Sequence, residues 1–214
     1  MHRRTTARSS RRKAIAKKPR DLPALLEGGD RRSIGRADEA AKLAEIDPRL
    51  FKQLIQGLWT PDAVVRMRAA DAAEKASRRI PELLRPFKTE LLGLLAETTQ
   101  QELRWHLAQM VPRLPLTAVE RRSAVTSFQE YLSDTCSIVR IFAMQALADF
   151  AETDEKLRVE VVDLIRVLSR TGTPAMRARG RKLLAHLERL SVDASSRSIS
   201  GQPTIRPHGR TRRC

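Results

Sequence analysis

One arrangement of apolar positions returns four times along the chain: an apolar or small residue at i, i+4, i+7, i+8 and i+11, with arginine at i+1. The copies are Val65, Ala69, Ala72, Ala73 and Ala76 with Arg66; Leu103, Leu107, Met110, Val111 and Leu114 with Arg104; Val139, Ala143, Ala146, Leu147 and Phe150 with Arg140; and Met176, Gly180, Leu183, Leu184 and Leu187 with Arg177. Their starts are 38, 36 and 37 residues apart. The spacing falls on one stripe of an α-helix, so each copy predicts an amphipathic helix. Gly180 alone breaks the apolar pattern.

A further helix is expected ahead of each copy. Its apolar positions are Leu54, Ile55 and Leu58 in the first unit and Leu91, Leu92, Leu94 and Leu95 in the second. Phe128, Tyr131 and Leu132 serve the third, and Val161, Leu164, Ile165 and Leu168 the fourth. Thr60-Pro61 and Thr173-Pro174 read as helix starts, with proline in the first turn behind a capping hydroxyl. Pro81, Pro86, Pro112 and Pro115 interrupt the joins between units. Upstream, residues 22–27 and Ala37–Ile46 form a degenerate pair, in which Ala37, Ala40, Ala41 and Ala44 keep the stripe but the arginine is missing. No stretch alternates with period two. The expected fold is therefore all-α: an α-solenoid of four clear helix pairs and one terminal pair, each burying its stripe against the next.

The strings Pro61-Asp62-Ala63-Val64-Val65-Arg66-Met67-Arg68-Ala69-Ala70-Asp71-Ala72 and Ser137-Ile138-Val139-Arg140-Ile141-Phe142-Ala143-Met144-Gln145-Ala146-Leu147 resemble HEAT repeats. Glu102-Leu103-Arg104-Trp105 is similar to the HEAT-like variant of phycobilin lyase-type repeats. The resemblance covers about residues 22–190 and implies a binding scaffold more readily than a particular chemistry.

Charge changes the picture at the two ends. Lys and Arg number 41 against 25 Asp and Glu, a net charge of +16. Residues 1–20 carry nine basic residues and no acid, Arg3, Arg4, Arg8, Arg11, Arg12, Lys13, Lys17, Lys18 and Arg20. Residues 193–214 carry five arginines and one aspartate. The expected organisation is a disordered basic tail over 1–20, a repeat domain over 21–192 and a second basic tail over 193–214. Tails of this kind are either interaction arms for nucleic acid or other polyanions, or solubilising ends without a specific target. No apolar run approaches the roughly 18 residues of a membrane span, and residues 1–20 lack the apolar stretch expected of a secretory signal. The expected location is cytoplasmic, with association to a nucleoid or nucleus through the tails, and the expected state is a monomer.

Enzymes built on similar repeats can be weighed residue by residue. The resemblance to deoxyhypusine hydroxylases would require His-Glu dipeptides, and none of His2, His106, His186 and His208 precedes a glutamate. HEAT-like alkylpurine DNA glycosylases pair an aspartate with tryptophans, but Gln109 stands one turn after Trp105, and Thr60-Pro61 separates Trp59 from Asp62. Nothing marks the tetrapyrrole pocket of a phycobilin lyase. Cys136, at a helix start, has no histidine or second cysteine near it in sequence. No cofactor or metal is expected.

What remains is the arginine row. Arg66, Arg104, Arg140 and Arg177 occupy one position on successive second helices, where they either pair with Asp62, Glu102 and Asp134 of neighbouring units or present a basic surface. Arg68, Lys75, Arg78, Arg79, Arg113, Arg179, Arg181 and Lys182 add charge to the same helices, most densely in the last. Guanidinium forks suit carboxylates and phosphates. The candidate binding surface is Arg66, Arg68, Arg104, Trp105, Arg140, Arg177, Arg179, Arg181 and Lys182. The first functional reading is a non-enzymatic scaffold holding a protein partner along its repeat face. The second is a non-specific nucleic-acid binder using tails and basic helices, and the third is a glycosylase.

Overall fold

The computed structural model describes residues 21–30 and 32–200, with side chains as far as Ser191. Both basic tails, apart from residues 193–200 of the second, lie outside the described residues. Ten α-helices follow in order: α1 (Leu22–Leu26), α2 (Ala37–Ile46), α3 (Pro48–Gly57), α4 (Ala63–Arg79), α5 (Lys88–Glu97), α6 (Gln101–Met110), α7 (Ala118–Tyr131), α8 (Ser137–Ala151), α9 (Glu155–Thr171) and α10 (Pro174–Ser200). The backbone of α10 thus continues past residue 192. No strand occurs among the described residues.

Local chemistry sets the helix ends. Asp47 caps α3 ahead of Pro48, Asp154 caps α9, and Thr117 with Glu120 closes a reciprocal capping box on α7. Pro174 opens α10, as the sequence predicts. At α4 the expectation shifts by two residues. Asp62, not Thr60, is the cap, its Oδ1 accepting from the Val64 and Val65 amides at 2.7 and 3.3 Å. Pro112 ends α6 at Met110 and turns Val111–Arg113 into a 3-10 segment, so the stripe continues through Val111 and Leu114 in a tighter coil.

The even-numbered helices form one continuous layer, α2 against α4, α4 against α6, α6 against α8 and α8 against α10. The odd-numbered helices make the other layer, where α1 meets α3 and α5 meets α7, while nothing comparable joins α7 to α9 among the described residues. The more continuously packed layer lies on the inner side of such an array. The described residues therefore form an all-α solenoid of five helix pairs, with the alanine-striped α2 stacking as a second helix does.

All the repeated stripe positions are buried except Leu184, which is half-buried. Gly180 is explained by packing. A Cβ there would collide with Ser169 Oγ of α9 and meet Met144 Cε at 3.4 Å, so α8, α9 and α10 converge on a site with no room for a side chain. Filling the stripe by Gly180→Leu should destabilise the protein by about 1–3 kcal/mol, as overpacked cores do. An equal or higher urea midpoint for that variant would contradict this convergence.

Candidate functional site

The arginine row is a ladder that runs only partway. Arg66 Nε donates to Gln100 Oε1 of the next unit at 2.7 Å, and its Nη1 to the carbonyls of Thr60 and Pro61 at 2.7 and 2.9 Å. Arg104 Nη1 bonds Asp134 Oδ2 of the next unit at 2.6 Å, Nε donates to Thr98 O at 2.9 Å, and the guanidinium lies 4.9 Å from the Tyr131 ring centroid. Burial pushes the Asp134 carboxyl upward, but the Cys136 amide and the Arg104 guanidinium outweigh it and hold the group below the usual carboxylate range. Asp62 is committed to its cap. At Arg140 the ladder stops: its Nε is enclosed without an acceptor among the described residues. Arg177, on the last rung, is exposed.

Arg68, expected on the binding surface, is only 3% exposed. It threads the turn between α1 and α2 and donates to the carbonyls of Leu26, Glu27, Gly28, Asp30 and Ser33. Gly28, Gly29 and Gly35 take positive φ around it, and a Cβ at residue 35 would lie 2.9 Å from its Cζ. This arginine is a structural clasp, because a guanidinium satisfied by carbonyls on every side has nothing left for a ligand. Arg158 does similar work at the end of α8, donating to Ala151 O at 3.0 Å and Glu152 O at 2.8 Å. Trp105 is half-buried against the core, with Gln109 bonded back to its carbonyl at 3.2 Å. Trp59 is 49% exposed just beyond α3. Arg179 is half-buried with its Nε enclosed and unpartnered, while Arg181 and Lys182 are exposed.

On the inner layer Lys75, Arg78 and Arg113 meet acids that no sequence pattern singles out. Glu74 of α4 is buried, bonded by Arg113 Nη2 and Arg78 Nη2, each at 2.6 Å. Burial raises its pKa, but the two guanidiniums win and hold it below the ordinary value. Lys75 bridges Asp38 and Asp71 at 2.6 and 2.7 Å. Beside them His106 is buried with Nδ1 unpartnered, and burial takes its pKa from the ordinary 6.5 to about 4 against the pull of Asp71 and Glu74. An unfolded chain takes up that proton near pH 6.5 and the folded one only near 4, so stability falls as pH falls through this window. The loss should reach roughly 3 kcal/mol. In urea melts between pH 7 and 4, His106→Gln should flatten the slope; an unchanged slope would show that the imidazole is not the source. Glu74, held low, adds a loss at lower pH that the variant should keep.

Two grooves stand out. The larger, about 770 Å³, opens where α7 and α9 diverge, over Leu116, Val125 and Leu157, with Arg121, Arg122 and Glu160 among its rim residues. The other, about 380 Å³, crosses the inner layer between α6, α8 and α10. Phe142, Gln145 and Asp149 of α8 and Glu152 at its C-terminal cap line it, facing Arg113 and Arg179. Asp149 accepts from Gln145 Nε2 at 2.6 Å. Its pKa is raised, first by burial and then by Glu152, which outweigh the Gln145 amide and the charges of Arg179 and Arg113. Glu152 meets His186 at 2.8 Å. No group of three His, Cys, Asp or Glu side chains among the described residues is arranged to hold a metal ion. No described helix is long and apolar enough to cross a membrane.

No family model matches this chain, and no curated protein matches it significantly in sequence. Solved structures do resemble it. An engineered protein from a structural genomics programme aligns with a TM-score of 0.51 at 20% identity, over 79% of this chain and 78% of its own. A designed armadillo repeat protein, solved with the peptide (KR)4, aligns with a TM-score of 0.50 at 13% identity, over 78% of this chain and 80% of its own. Likeness at these identities concerns the fold, a stacked array of helices.

Proposed function

We propose that this chain is a HEAT-type helical-repeat scaffold, without catalytic chemistry, that holds an extended segment of a protein partner along its inner layer. The observation that carries the reading is Asp149. Its carboxyl stays half-buried on the floor of an open groove, raised in pKa, with a single amide as hydrogen-bond donor. Groups kept at that cost cluster at functional sites. The designed armadillo repeat protein, a stacked-helix array of similar fold, is in complex with the peptide (KR)4, which supports the reading. Here Asp149 and Glu152 beside the Phe142 ring suit a basic side chain of such a segment.

The test is an affinity capture with the full chain, with and without nuclease, compared with Gln145→Lys, which places a charge in the groove and keeps the helix. A protein retained after nuclease and lost with Gln145→Lys supports the scaffold. Retention that nuclease abolishes supports nucleic-acid binding instead, the reading favoured by the nine basic residues of 1–20 and by exposed Arg181 and Lys182. In that case deleting 1–20 should flatten the slope of log K against log salt by about 0.9 for each phosphate that the tail no longer neutralises.

A further inference from the structure

The ladder repeats its geometry, which makes its interruption informative. Gln100 and Asp134, the two acceptors from a following unit, stand three and five residues before the first stripe position of that unit, Leu103 and Val139 respectively. In the last unit, whose stripe begins at Met176, the same two places hold Thr173 and Thr171. Both hydroxyls are engaged locally. Thr171 Oγ1 donates to Val167 O at 3.1 Å, and Thr173 Oγ1 accepts from the Met176 amide at 3.4 Å. By the geometry of Arg66 and Arg104, these are the two places where Arg140 would meet the next unit, and neither hydroxyl accepts from it. Its Nε is enclosed and unsatisfied, and its guanidinium makes no bond to any described residue.

The charge along this edge changes at the same place. The turns that lead into α4, α6 and α8 hold or are flanked by Asp62, Glu97 with Glu102, and Glu130 with Asp134. The turn into α10 is flanked by Arg170 and by no acid, and Arg177 follows it, exposed. Two consecutive rungs thus present guanidiniums where earlier rungs are closed from within the chain. Enclosing a guanidinium nitrogen without a partner costs free energy, and a carboxylate that meets the remaining N–H groups of the same fork offsets part of it.

We infer that the α9–α10 turn is a docking site for an acidic segment of a protein partner, one of whose carboxylates takes the place on Arg140 that Asp134 takes on Arg104, while Arg177 meets a second. A carboxylate is favoured over a phosphate because the paired acceptors of this ladder are an amide and a carboxylate, at side-chain distance from the arginine. This edge is a different surface from the inner-layer groove, so the site stands without the reading proposed for that groove.

The experiment supplies the missing carboxylate in two ways, from solution and from within the chain. The thermal midpoint of the full chain is measured at low salt with and without a short glutamate-rich peptide. Binding to other basic residues, in folded and unfolded chains alike, does not move the midpoint, whereas completing the ladder does. The peptide should raise the wild-type midpoint by about 2–4 °C and should leave Arg140→Gln unmoved. Thr171→Asp should raise the midpoint without peptide and remove the response to it. The proposal is overturned if the peptide does not move the wild type, or if Arg140→Gln responds as the wild type does. It is equally overturned if Thr171→Asp leaves both the midpoint and the peptide response unchanged. A short DNA duplex run in parallel separates the partner classes: stabilisation by duplex alone would contradict an acidic protein segment.

Discussion

Leu147→Ala is expected to lower stability by about 2–5 kcal/mol, as buried leucine truncations do. Leu147 is fully buried on α8, the helix that packs against α6, α7, α9 and α10 together. With neighbours on four sides, the space left by the side chain has little freedom to collapse, which places the cost toward the upper part of that range. Stability in an array passes through nearest-neighbour interfaces, so the lesion should also loosen the last pair. Urea unfolding should show the lower midpoint, and hydrogen exchange should show α9 and α10 opening before α2 and α4. A midpoint equal to wild type would contradict the register assigned to the repeats.

Arg68→Ala should act at the other end of the array and cost roughly 3–5 kcal/mol, since it removes several hydrogen bonds from a charged donor and leaves the buried Leu26 carbonyl and four part-buried ones without it. The carbonyls of Leu26, Glu27, Gly28, Asp30 and Ser33 converge on one planar fork, so Arg68→Lys should recover little. Exchange should accelerate in α1 and in the turn that follows it, with α8 to α10 kept near wild-type protection. Wild-type thermal unfolding of Arg68→Lys would show that the clasp is not what closes this end.

These two residues mark how far the sequence could be read. Leu147 and its equivalents were legible because burial on a helix imposes a period, and a period survives in the order of residues. The terminal pair was legible for the same reason, from Ala37, Ala40, Ala41 and Ala44. Arg68 was not legible: it sits three positions after Val65, on the flank of the apolar stripe, where spacing does not distinguish a buried guanidinium from one that reaches past the stripe to solvent. The carbonyls that enclose it come from far upstream, that of Leu26 from 42 residues away. Gly28, Gly29 and Gly35 announce a turn but not what the turn wraps. The arginine ladder was visible as a row, yet its partners were only partly so. Asp134 pairs with Arg104 across units, Asp62 is drawn to its own helix start by two amides, and Arg66 takes the amide of Gln100. The choice between capping and pairing depends on side-chain reach, which no spacing records. Asp149 carried no sequence signal, because what distinguishes it is the burial created by α6 and α10 meeting α8.

The central claim is that a protein segment lies across the inner layer at α8. A photo-reactive side chain placed at position 145, in the groove, and at position 159, exposed on the outer helix α9, tests it most directly. The account predicts that the full chain cross-links a protein from position 145, does so equally after nuclease treatment, and yields no such product from position 159. Equal products from both positions, or a product at 145 that disappears with nuclease, would contradict it.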